Sequence, residues 1–174
     1  MGWPRFEVAQ FDNLGELPDS IADLVATSRV PRHFFAPRFS ATSALTLFPI
    51  DGQTWVHFGE SGQWQRFLFD PHTAGVFSLL KASAARPKLL NSSLWQFSRC
   101  AEAILAKFPF YDKGSELWQW EAQSRRASRI IESIDPVALE GDNFWNTFLD
   151  DVANGDFATE DVILWDEGMT SGTT

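Results

Sequence analysis

Four kinds of side chain in this sequence are of types that do chemistry: Ser61 in the stretch Gly59-Glu60-Ser61-Gly62, the single cysteine Cys100, three histidines, and three carboxylate doublets near the C-terminus. A serine nucleophile needs a G-x-S-x-G elbow between a strand and a helix. Ser61 lacks that frame and that context, so the stretch reads as a hairpin loop. His33, His57 and His72 fall in different predicted segments without the i, i+4 spacing of metal ligands. His57 reads as a partly covered strand residue and His72 as a turn residue. Cys100 stands one position before Ala101 of an apolar helix stripe with no base beside it, which is the setting of a small core residue. The doublets Asp150-Asp151, Glu160-Asp161 and Asp166-Glu167 would hold a hard cation or share acid and base roles if they converged. Adjacent residues on a helix point about 100° apart, and none of the doublets has a D-x-D-x-D-G calcium frame. Trp118, Trp120 and Trp145 would stack on a sugar or base if exposed, but at helical spacing among aliphatics they read as core. There is no GxxxxGK[ST] loop, no GxGxxG, no HExxH and no cysteine pair for zinc. No catalytic residue, metal or cofactor is expected.

The elements that must carry these residues follow from periodicity. The first forty residues, punctuated by Pro4, Pro18, Pro31 and Pro37, read as an irregular lead-in with one short helix between Pro18 and Ser28. From Ala44 the period becomes two. Leu45, Leu47, Phe48 and Ile50 lead to Asp51-Gly52, and Trp55 to Phe58 follow, which predicts a hairpin with a loop longer than two residues. Gln63 to Asp70 and Gly75 to Leu80 predict a second hairpin, and Lys88 to Leu90 a last short strand. Connections this short force antiparallel neighbours, giving a meander of four or five strands. After Asn91 the period is helical. Ser92 or Ser93 caps a helix whose stripe is Leu94, Phe97, Ala101, Ile104, Leu105 and Phe108, stopped by Pro109. A second helix spans about Ser115 to Ile134, with Arg125, Arg126 and Arg129 outward, and ends at Asp135-Pro136. A third runs from Asp142 or Asn143 to about Asn154, with Gly155 as its left-handed stop. Strands followed by helices is the α+β order: a central antiparallel sheet packed with a C-terminal helical layer. One domain is expected over residues 1–168, with a disordered tail at 169–174.

Charge is the other informative feature. From Ile130 to Thr174 there are eleven carboxylates and no lysine or arginine, while residues 1–129 carry fourteen basic and twelve acidic side chains. The net −9 of the 174-residue chain is therefore concentrated in its last quarter. The bland reading of such a surface is solubility; the sharper one is that it speeds encounter with a positively charged partner. An acidic chain is a poor direct ligand for nucleic acid, because phosphate neutralisation needs clustered Lys and Arg. One cysteine, no apolar leader and no long uncharged apolar run make a cytoplasmic protein without membrane contact the expectation.

Several segments resemble a known family. Leu90-Asn91-Ser92-Ser93-Leu94-Trp95-Gln96-Phe97, at the join of the last strand and the first long helix, resembles the "NSSL…F" signature of the fourth group of the SUKH superfamily. Ile134 to Leu139 followed by Asp142-Asn143-Phe144-Trp145 resembles that group's "DP.AL … D..FW" pattern. Val30-Pro31-Arg32 and Phe69-Asp70-Pro71-His72-Thr73-Ala74-Gly75-Val76 are similar to its proline entry and its strand-turn-strand element, with Ala74 as a departure. The resemblance covers roughly residues 20 to 155. It implies an α+β fold without catalytic residues and an immunity function in bacterial polymorphic toxin systems, in which such proteins bind and block a cognate toxin, often a nuclease or nucleic-acid deaminase.

Under that implication, the carboxylates acquire a role as a toxin-facing surface that meets a basic, phosphate-binding cleft. The residues expected to form it are Glu140, Asp142, Asp150, Asp151, Asp156, Glu160, Asp161, Asp166 and Glu167. Trp165, with Ile163 and Leu164, is either an apolar anchor inside this rim or part of a last strand on the sheet edge. Asn91 and the serines are read as architecture, with Asn91 tolerating unusual backbone angles at the strand-to-helix corner. The alternative function is a non-catalytic adaptor or secretion chaperone that holds an effector segment.

Overall fold

A computed structural model describes residues 4–35, 38–81, 86–112 and 114–157. After a short 3-10 turn at Leu14–Glu16, helix α1 spans Asp19–Ser28. Six strands follow: β1 (His33–Phe34), β2 (Phe39–Ile50), β3 (Gln53–Ser61), β4 (Gln65–Phe69), β5 (Val76–Leu80) and β6 (Lys88–Asn91). Each pairs antiparallel with the next, so the sheet order is the chain order, as the short connections require. Helices α2 (Leu94–Leu105), α3 (Leu117–Ile134) and α4 (Phe144–Asn154) complete the α+β domain, with a 3-10 turn at Pro136–Leu139 between the last two.

The strands alternate faces, and the two faces bury different things. Val56, Phe58, Phe67, Phe69 and Val76 point toward the helices and join Phe34, Phe39, Phe97, Phe144, Trp145 and Phe148 in one largely aromatic core. Many of its rings meet edge to face, as their quadrupoles favour. Phe39 and Phe67 are 5.0 Å apart at 90°, and Phe67 and Phe144 are 5.3 Å apart at 89°. On the opposite face Trp55, Leu68 and Leu79 form a second, smaller buried cluster with Phe48, Ile50 and Phe77. Gly59 lets the sheet close on the larger core. A Cβ there would stand 2.2 Å from the Phe39 ring, so any side chain at that position displaces a fully buried phenylalanine. Register shifts between Ala41 and Thr46, between His57 and Gly59, and between Val76 and Phe77 bend the strands around the same core.

Five expectations change. The sheet has six strands, because β1 forms inside the lead-in. Strand β2 begins at Phe39 and not near Ala44. The Asp51-Gly52 turn has two residues, with Ile50 paired to Gln53 and φ of 50° at Asp51 and 79° at Gly52. Positive φ at both positions is what a two-residue hairpin demands. Gly59 to Ser61 belong to β3 and not to a loop. Helix α2 stops at Leu105: Lys107 and Phe108 donate to the carbonyls of Ile104 and Leu105 three residues back, and Pro109 has no N–H to continue.

The three C-terminal helices are joined to the sheet by one buried polar cluster. Asp135 and Asn91 are both fully buried. The Asp135 carboxylate accepts from Asn91 Nδ2 (2.8 Å), from the Ser92 backbone N–H (2.8 Å) and from Ser92 Oγ (2.7 Å). Asn91 Oδ1 in turn accepts from the indole N–H of buried Trp145 at 2.8 Å. One cluster thereby fixes the end of β6, the start of α2, the end of α3 and the first turn of α4. Asn91 is an extended strand residue here, so its value is its amide, which donates and accepts at once, and not tolerance of unusual backbone angles. The two serines divide their work: Ser93 caps α2, accepting from the Gln96 N–H, and Ser92 holds Asp135.

Replacing Asp135 with Ala removes the acceptor of three donors, the fully buried Asn91 amide among them, so we expect a loss of about 3–5 kcal/mol in unfolding free energy, with Asp135→Asn costing less because an amide oxygen still accepts. Urea denaturation midpoints measure this, and an unchanged midpoint for Asp135→Ala would contradict the assignment. Ser93→Ala and Ser92→Ala should each cost about 1 kcal/mol. Measured again in an Asp135→Asn background, the Ser92 effect should shrink while the Ser93 effect stays, since only Ser92 acts through Asp135.

Candidate partner-binding surface

The described members of the expected acidic surface lie on or beside helix α4. Asn143 starts it, its side-chain oxygen accepting from the backbone N–H groups of Trp145 (3.0 Å) and Asn146 (3.3 Å). Such a cap satisfies donors that the first turn leaves without partners. Gly155 ends the helix at φ 89°. Phe144, Trp145, Phe148, Leu149 and Val152 face the core, which turns the remaining positions outward. Glu140 and Asp142 lie in the turn before α4, Asp150 on its outer face and Asp156 just after its C-cap, all four exposed. From Asp142 to Asp150 is a little over two turns, so the four carboxylates edge the helix from end to end and do not converge on one point. Among the described residues no group of three or more His, Cys, Asp or Glu is placed to hold a metal ion.

Asp151 differs from its neighbours. It is half-buried and ion-paired with Arg38, a residue from the turn between β1 and β2. The Arg38 guanidinium also lies 5.9 Å from the ring centre of buried Phe157. That is within reach of a cation–π attraction. Burial lowers the Arg38 pKa from the usual guanidinium value, and the charge of Asp156 works against that shift. Asp151 is thus part of the joint between α4 and the sheet, while Glu140, Asp142, Asp150 and Asp156 are free to face a partner. Glu160, Asp161, Trp165, Asp166 and Glu167, with the Val162 to Trp165 patch and the expected tail from Met169, lie outside the described residues.

The other chemically suggestive residues resolve as architecture. His57 is a half-buried β3 residue whose Nε2 donates to the Gly59 carbonyl (3.1 Å) and lies 3.5 Å from Glu60. Burial lowers its pKa, with Glu60 opposing, which favours the neutral ring. Cys100 is fully buried, and burial, reinforced by the charge of Asp135, pushes its thiol up to about 12. That is far from a reactive thiolate. His72 sits in the turn after β4, where Asp70 accepts from its backbone N–H and from Thr73 Oγ1. Trp145 and, in part, Trp120 are core as expected. Trp118 is not: it is 63% exposed at the start of α3, where its indole N–H donates to Glu116. Two positions along a helix is a rotation of about 200°, so Trp118 and Trp120 cannot share the inward face.

Sequence reasoning missed one feature beside this surface, a cleft of about 220 Å³ between the sheet and the start of α4 that is lined by Arg38, Arg86 and Lys88 together with Asp142. Its cations come from segments far apart in sequence, so no local charge pattern announces it. No helix among the described residues is long and apolar enough to cross a membrane. In comparison with known proteins, no curated protein and no solved structure matches the chain. A family model does: that of the SUKH-4 immunity proteins matches residues 5–151, taking in every strand, the Asn91–Asp135–Trp145 cluster and most of α4. The chain therefore belongs to the SUKH-4 immunity protein family.

Proposed function

We propose that this protein binds and neutralises a cognate toxin of a bacterial polymorphic toxin system, without catalysis of its own, and that the acidic edge of α4 forms part of the toxin-facing surface. The family match carries the immunity reading. The exposure of Glu140, Asp142, Asp150 and Asp156 along one helix supports the choice of surface. The charges of Glu140, Asp142 and Asp150 are not consumed inside the fold, unlike those of Asp135 and Asp151, while that of Asp156 also acts on Arg38. A toxin that cleaves or deaminates nucleic acid has to offer positive charge to phosphates, and a rigid row of carboxylates competes for that field. Asp156, Glu160, Asp161, Asp166 and Glu167 follow the span matched by the family model and extend the same sign of charge. Trp165 would add an aromatic anchor among them.

Co-expression with the product of the adjacent open reading frame, in a host which that product alone kills, tests the immunity reading. Rescue with a stable one-to-one complex is expected; complex formation without rescue would indicate an adaptor instead. The surface is tested by Glu140→Lys and Asp150→Lys combined, both at exposed sites. The association rate with the toxin should fall about tenfold or more and lose most of its salt dependence, at an unchanged melting temperature. An association rate and salt slope equal to those of the parent protein would reject the acidic surface while leaving immunity standing.

A further inference from the structure

The cleft beside α4 breaks the pattern of the fold around it. On β4 and β5 the helix-facing positions run from Phe69, Phe67 and Val76, which are fully buried in the aromatic core, to Gln65, Ser78 and Leu80, which line the cleft. The same sheet face therefore changes from aromatic to polar where it passes the start of α4. Lys88 stands opposite Ser78 across the β5–β6 ladder, Arg86 precedes it, and Arg38 closes one end. Arg38 already has Asp151 as its partner. Arg86 and Lys88 are exposed and make no ion pair among the described residues. Asp142 is the single carboxylate in the lining.

We infer that this cleft receives an acidic peptide segment of the protein partner, a second contact of opposite sign to the carboxylate edge of α4. The inference rests on the toxin-binding reading for the identity of the partner but not for the existence of the site. Cations gathered in a concavity of a chain with net charge −9 select an anion locally, while the net charge opposes the approach of a polyanion. That repulsion, with Asp142 at the cleft and Glu140 beside it, disfavours a nucleic-acid backbone. The volume of about 220 Å³ holds a few side chains and not a strand of nucleotides. Peptide chemistry fits the remaining lining: Ser78 and Thr147 hydroxyls offer hydrogen bonds, and Leu80, 52% exposed, gives an apolar contact at the rim.

The test is a titration of the full-length isotope-labelled protein, followed by amide chemical shifts, with three probes: an acetylated Glu-Leu-Glu-Glu amide, its Gln-Leu-Gln-Gln counterpart, and inorganic phosphate. Saturable shifts at Arg86, Lys88 and Thr147 with the acidic peptide alone are expected. They should weaken at least tenfold in Arg86→Glu/Lys88→Glu and by a smaller factor in the neutral Arg86→Gln/Lys88→Gln, both melting as the parent does. Absence of shifts at these residues, equal binding by the glutamine peptide, or equal occupancy by phosphate would each overturn the inference, as would undiminished binding by both folded variants. The titration needs no toxin, so its failure and a failure of rescue are separable results.

Discussion

A buried carboxylate with no cation paired to it among the described residues is the constraint around which this protein is organised. Asp135 has lost its water and makes no ion pair among the described residues, so its stability in place depends on donors that arrive from elsewhere in the chain. They come from Asn91 and Ser92, forty-odd residues earlier. Asn91 cannot serve unless its own carbonyl oxygen is also satisfied, and Trp145 does that from α4. Each group is thus a condition on the next. An apolar core tolerates many arrangements of similar volume, whereas a buried hydrogen-bonded chain accepts one. The aromatic rings around Phe34, Phe67 and Phe97 supply burial; the polar cluster supplies the register in which α2, α3 and α4 meet the sheet.

That division explains which parts of the fold are legible in the amino-acid sequence. The helices and five of the six strands show in the sequence because packing against one core imposes a pattern, and Gly155 and Asp135-Pro136 mark helix ends through backbone chemistry that is local. Non-local consequences are not legible. Strand β1 has two residues, paired only to Phe39 and Ser40, and is too short to show a period. Pro49 within β2 argues against a strand, yet β1 covers only the far end of β2, so a missing N–H on that outer edge breaks no ladder bond. The motif from Asn91 to Ser93 announces importance without disclosing its partner. Only the fold shows that "NSS", "DP" and "FW" are three parts of a single hydrogen-bonded object.

The candidate surface is legible to a smaller degree, for the same reason. Composition locates charge along the chain, but whether a carboxylate faces solvent or an arginine depends on what folds against it. Asp150 and Asp151 are adjacent and identical in type, yet Asp151 turns inward to Arg38 and Asp150 turns outward. The same rotation by about 100° that keeps the doublet from being a metal site sorts its members into a structural and an available carboxylate. Arg38, in turn, is hidden in a proline-punctuated segment that offers no periodic signal.

The placement of the available charge bears on specificity. A uniformly acidic protein would be drawn to any basic surface, and a row of carboxylates alone distinguishes one nucleic-acid-binding toxin poorly from another. Here the carboxylate edge of α4 begins at Asp142, and Asp142 is also part of the lining of the cleft that carries Arg86 and Lys88. Opposite charges that line one cleft, on a rigid helix start and a sheet end, form a pattern that a partner with the inverse pattern satisfies best; a partner with positive charge at both places gains at one and loses at the other. Because the rigid frame between the two places is the Asp135 cluster, the groups that fix the fold also fix the spacing at which opposite charges are presented. On the proposed surface, discrimination between partners would require changes only at exposed positions, leaving the buried cluster as it is.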